Sequence, residues 1–246
     1  MKTKKYMFAM QFINLLKGLS NRTEFFLILF IGFGLPVFFS NFSLLIVKTS
    51  EFNQNPSWLY KLTNQSMYFI VLFELVALFI ILYILRIRGL GLNDFNLTFS
   101  FRLVLVAVLL LLTSKVFSIL IYKLIDISNV TNEVSTAHIQ YELEAKWISI
   151  TLVIIINSFY EEFLLIGYLF RRLEKYHPAL VIGISLLLRE SYHTYQGWIS
   201  LIGIVSMGLV FGYYYFKYKK MWPVILAHSF NNLFAFLSMH FHKYPN

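Results

Sequence analysis

The sequence predicts an all-α protein, a polytopic membrane bundle of about seven transmembrane helices with its chemistry in the last four. Three observations carry that expectation. The 246 residues are 58% hydrophobic and only 13% charged, with a mean hydropathy of +0.66, whereas soluble domains run nearer ~25% charged. Several apolar runs each reach about 20 residues, the length of helix that crosses a hydrocarbon core. The basic residues cluster on alternate connections, as the positive-inside rule requires. A membrane barrel would show short alternating segments, and none is visible.

Residues 1–24 carry Lys2, Lys4, Lys5, Lys17 and Arg22 with Phe8, Phe12, Ile13, Leu15, Leu16 and Leu19 between them. Gln11 and Asn14 interrupt the apolar region, and no small-residue cleavage site follows. The segment therefore reads as an amphipathic helix on the inner membrane surface rather than a signal peptide. Seven spans follow, at about 25–47, 66–85, 103–122, 147–170, 179–198, 200–216 and 221–239. The first three (25–122) form an accessory unit, 123–146 an outer loop, and 147–240 a four-helix core. Residues 48–65 read as a second polar loop. Pro36 interrupts the first span, which neighbouring helices can tolerate. The fifth and sixth spans turn tightly at Gln196-Gly197, and Gly203, Gly208 and Gly212 allow the sixth to approach a neighbour closely.

Charge tests this layout. Fourteen Lys and Arg fall on the side of the N-terminus and five (Lys48, Lys61, Lys123, Lys146 and Lys243) on the other. The N-terminus is therefore expected inside and the C-terminus outside the membrane. The net charge of +9 follows from that topology, so the bilayer is the expected partner and nucleic acid is not. With no cysteine, disulfides and thiolate chemistry are excluded.

The charges inside the spans are the informative ones, because each costs ~2.5–3.5 kcal/mol at a helix centre and marks function by default. They are Glu74, Lys115, Glu161, Glu162, Arg189 and Glu190. At ~1.5 Å rise per residue, Glu74 and Lys115 lie about 18 and about 20 Å from the inner ends of their spans, so they are expected to pair. By the same measure Glu162 and Arg189 sit at about 14 and about 15 Å, matched in depth on adjacent spans. His193 lies one turn above Arg189, and His228 and Asn232 share one face of the last span at about 11 and about 17 Å.

Such a set suits peptide hydrolysis. A carboxylate partnered by an imidazole takes a proton from water and passes it to the leaving amine. A second imidazole and an amide donate to the developing oxyanion. Adjacent helical residues point about 100° apart, so Glu161 and Glu162 must do different work. Alternatively, Glu161, His193 and His228 would bind zinc with an open fourth position, although no tight ligand spacing such as HExxH is present.

The pattern resembles the CPBP family of intramembrane proteases, which includes CAAX-processing endopeptidases and bacterial homologues linked to bacteriocin self-immunity. The resemblance rests on Glu161-Glu162 followed by Phe163-Leu164-Leu165-Ile166, on the run RESYHTYQG from Arg189, and on His228-Ser229-Phe230-Asn231-Asn232. It covers roughly 145–240. It implies that Glu161 and His193 activate water, that His228 and Asn232 stabilise the oxyanion, and that no cofactor is needed. The family's arginine four residues after the second glutamate is replaced here by Ile166, and Arg189 is expected to supply the missing partner of Glu162 from the next helix. The resemblance implies an intramembrane endopeptidase acting on a peptide or membrane-protein substrate, in bacteriocin self-immunity or peptide-pheromone processing. The alternatives are a non-catalytic immunity or binding protein derived from the same fold, and a small transporter using the buried charges as a proton path.

Overall fold

The computed structural model describes residues 2–49, 59–127, 140–196 and 198–243. Helix α1 (Lys2–Gly18) leads into α2 (Asn21–Thr49), which runs through Pro36. Helices α3 (Asn64–Ile87) and α4 (Arg102–Ile127) follow. They are succeeded by α5 (Trp147–Arg172), α6 (Pro178–His193), α7 (Trp198–Tyr218) and α8 (Trp222–Lys243). Six of these helices are long and apolar enough to cross a membrane. The exception among the expected spans is α6. Its 16 residues rise about 24 Å, short of a ~30 Å hydrocarbon layer.

The helices close a ring in space, α2–α3–α5–α8–α4–α7–α6 and back to α2, each packed on the next. The second half of α5 also touches α6 and α7. Phe163, Leu164, Leu165, Ile166 and Tyr168 on that half are 0% exposed. The outer helices show one buried face only. On α3, Met67, Val71, Glu74, Ala77, Ile81 and Leu85 point inward, at helical spacing, while Phe69, Leu72, Val76 and Phe79 are exposed. An apolar exposed face of this kind belongs against lipid. Since lipid is as apolar as leucine, close packing and polar contacts must hold the helices together. Gly208 shows the first: a Cβ there would lie 2.5 Å from Leu186 Cδ2 on α6.

Both membrane ends are tied by polar groups. At the end carrying the start of α5, strands β1 (Leu59–Leu62) and β2 (Gln140–Leu143) pair in parallel, where the sequence reads as polar loop. Residues 50–58 and 128–139 of the two expected loops, and Gly197 of the expected tight turn, lie outside the described residues. Thr63 and Ser66 cap the start of α3 reciprocally, and Asn64 Oδ1 accepts from Lys146 N and Ser149 Oγ (2.8 and 2.7 Å), joining the starts of α3 and α5. At the opposite end Glu24 is fully buried and accepts from Arg88 Nε (2.8 Å), Arg172 Nε (2.9 Å) and Tyr168 Oη (3.1 Å). One carboxylate thus joins α2, the end of α3 and the end of α5.

The expected Glu74–Lys115 pair does not form. Glu74 faces α5, whereas Lys115 is exposed on α4 across the ring. Matching depth was insufficient because depth along a span says nothing about which helices are neighbours.

Candidate active site

Glu161 and Glu162 end the regular α-helical part of α5, and Phe163–Tyr168 continue it as a π-helical segment. Such widened turns leave the backbone ladder irregular and recur at functional sites. Ser185 Oγ on α6 donates to the Leu165 carbonyl inside the segment (3.0 Å), so the irregular turn is held from the neighbouring helix.

The two glutamates point to different partners, as their 100° separation demands. Glu162, 0% exposed, accepts from Arg189 Nη2 through both oxygens (2.8 and 2.9 Å) and contacts His228 Nδ1 through Oε1 (2.7 Å). Three helices meet on that carboxylate. Arg189 is itself 0% exposed, and a buried pair of this sort is sustained only by such close and multiple hydrogen bonding. Ile166 lies instead in an apolar cluster with Leu110, Leu111 and Phe211. The cation that neutralises Glu162 therefore comes from α6.

Glu161 is held by a different set. Its Oε2 accepts from Tyr192 Oη (2.6 Å) and lies 3.5 Å from Arg189 Nη1 and 3.9 Å from His193 Nε2. Its Oε1 accepts from Asn157 Nδ2 (2.9 Å). Gln196 contacts the other ring nitrogen of His193 (3.1 Å), and so orients the imidazole. Helix α2 steadies this part of α6: the Phe33 and Tyr192 rings stack with centroids 5.1 Å apart, and Asn41 donates to the Ser191 carbonyl (2.9 Å).

Of the six residues singled out from the sequence, Glu161, Glu162, Arg189 and His228 form one connected cluster, with His193 at its edge. Asn232 touches neither glutamate. Its amide lies 3.4 Å from Asn157 Oδ1 and from Ser158 Oγ, one turn further along. Sequence reasoning missed Asn157 and Tyr192. Both carried a helical signal, since Asn157 precedes Glu161 by four residues and Tyr192 follows Arg189 by three.

Among the described residues no three His, Asp or Glu converge as a ligand set, because His193 and His228 lie against different carboxylates.

A family model described as "Type II CAAX prenyl endopeptidase Rce1-like" matches residues 143–234. No curated protein and no solved structure matches the chain. The matched region contains the whole Glu161–Glu162–Arg189–His193–His228–Asn232 set and ends two residues after Asn232.

Proposed function

Because residues 143–234 match a family model of type II CAAX prenyl endopeptidases, we propose that the chain is an intramembrane endopeptidase in which Glu161 activates the attacking water. The observation that supports this best is the surroundings of Glu161 Oε2. An almost fully buried carboxylate oxygen there has a tyrosine hydroxyl at 2.6 Å and an imidazole nitrogen at 3.9 Å.

In this reading Glu161 accepts the proton of a water held between it and His193, and the water oxygen attacks the scissile carbonyl. The proton then passes to the leaving amine, so that one water is consumed for each bond cut. His228 and Asn232 donate to the oxyanion in a setting where few competing dipoles weaken them. Glu162 does not react. It anchors His228 through Nδ1 and Arg189 through both oxygens, which leaves the opposite edge of the His228 ring for the substrate. A buried, prearranged set of this kind gains most of its effect from being fixed before the substrate arrives.

The substrate is a peptide or a membrane-embedded protein, with the cut in the inner half of a bacterial membrane, N-terminus inside and C-terminus outside. Bacteriocin self-immunity or peptide-pheromone maturation is the proposed setting. The test compares wild type and Glu161→Gln at equal membrane levels, with released peptides and trimmed membrane proteins identified by mass spectrometry. Products that disappear in a folded Glu161→Gln variant uphold the protease reading and name the substrate. Identical profiles, with any protective phenotype retained by the variant, favour a non-catalytic immunity protein instead.

A further inference from the structure

Glu74 lies on α3, outside residues 143–234, and has no task in the mechanism above. It is 5% exposed and points into the bundle at the level of the candidate site. Its Oε1 accepts from Asn157 Nδ2 at 2.6 Å, and the same nitrogen lies 2.9 Å from Glu161 Oε1. An amide nitrogen carries two hydrogens, so Asn157 can donate one to each carboxylate. The amide's orientation is fixed by its neighbours. Reversed, its carbonyl would face two carboxylate oxygens and Asn232 would lose its acceptor at Asn157 Oδ1.

We propose that Glu74 is a positioning residue of the protease: through the Asn157 amide it holds Glu161 with Oε2 turned toward Tyr192 and His193. The proposal rests on the protease reading. Glu161 is pinned at both oxygens, by Asn157 at Oε1 and by Tyr192 at Oε2. The Tyr192 pin is braced by the Phe33 ring of α2. The Asn157 pin has its brace in Glu74 of α3. Without Glu74 the amide nitrogen would keep only Glu161, one turn away on its own helix, and the tie to another helix would be reduced to the 3.4 Å contact of Asn232 with Asn157 Oδ1.

A merely structural link between α3 and α5 does not require a carboxylate. A hydroxyl or amide would make the same hydrogen bond without placing an acid in the membrane interior. Glu74 Oε2 is moreover buried with no hydrogen-bond partner, an arrangement that weakens packing rather than helps it. The residue is thus poorly suited to stability and well placed for the Glu161 geometry. It also gives the accessory helices a direct part in the site.

The test uses the purified full-length protein in detergent with an internally quenched farnesylated CAAX-type peptide and its unprenylated counterpart. Glu74→Met keeps the side chain's bulk, removes the acceptor and leaves an apolar group in the membrane. It is expected to unfold at or above the wild-type temperature while kcat falls roughly 10- to 100-fold, the scale of a small misplacement of a reacting group, with KM little changed. Glu74→Gln, whose carbonyl still accepts from Asn157, recovers kcat to within about threefold of wild type, as it keeps the hydrogen bond. Adding Glu74→Met to Asn157→Ala costs nothing further, because both act through one contact.

Wild-type kcat in a folded Glu74→Met variant overturns the proposal, and so do equal losses in Met and Gln or additive losses in the double variant. Those results leave the protease reading intact. A wild type inert toward both peptides, with no Glu161-dependent products in membranes, overturns the protease reading and the role of Glu74 with it.

Discussion

Arg189 Nη2 stands 2.8 and 2.9 Å from the two carboxylate oxygens of Glu162, and both residues are 0% exposed. The contact joins α5 to α6 at the point where the regular helix of α5 gives way to its π-helical segment. It gives Glu162 a dedicated cation, while Glu161 is held by Tyr192 and Asn157 with Arg189 Nη1 and His193 further off.

Breaking this pair from one side leaves a buried charge. Arg189→Met should lower stability by about 3–5 kcal/mol, while Arg189→Met with Glu162→Leu should recover much of that loss. Thermal unfolding in detergent reads both. A fully stable Arg189→Met single variant would show that the pair does not hold α5 to α6.

Ile166→Arg should not rescue Arg189→Met. Ile166 sits in the apolar cluster with Leu110, Leu111 and Phe211, and a cation placed there costs ~2.5–3.5 kcal/mol on insertion scales. The expected result is a double variant less stable than either single one, measured by the same unfolding assay.

Tyr192→Phe removes the hydroxyl that donates to Glu161 Oε2 and keeps the ring stacked on Phe33. Stability should change by about 1 kcal/mol, the net worth of one hydrogen bond. Activity should fall roughly 10-fold through kcat, as expected when the positioning of a reacting group loosens. A variant with wild-type kcat would mean that Asn157 alone suffices to orient Glu161.

The cluster around Glu24 predicts a purely structural phenotype. Glu24→Ala leaves Arg88 and Arg172 without their shared carboxylate and should cost about 3–5 kcal/mol. It should reduce the amount of folded protein in membranes, while the material that does fold keeps its KM. A drop in KM-normalised activity without loss of stability would contradict that assignment.

The absence of cysteine makes topology directly testable with single introduced thiols. Lys175→Cys, between α5 and α6, should react with a membrane-impermeant maleimide only after cells are opened, and Lys146→Cys, at the start of α5, in intact cells. The reverse pattern would invert the orientation drawn from the basic residues.

The sequence by itself determined the helical membrane class, because hydropathy and helix length report on lipid directly. It also singled out the acids and imidazoles of α5, α6 and α8, because an acid or imidazole in an apolar run stands out at any fold. Depth along a span correctly anticipated Arg189 beside Glu162, because α5 and α6 also pack on one another. The same argument failed for Glu74 and Lys115. There the tertiary ring separates α3 from α4 and brings α3 against α5, and no periodicity within one helix encodes which helices become neighbours. Tertiary packing alone decided that Asn157 would bridge two carboxylates from different helices, that Tyr192 would cover Glu161, and that the short strands at 59–62 and 140–143 would pair. Each is a contact between groups distant in sequence, fixed by the way neighbouring helices pack and by the need of buried polar groups for partners.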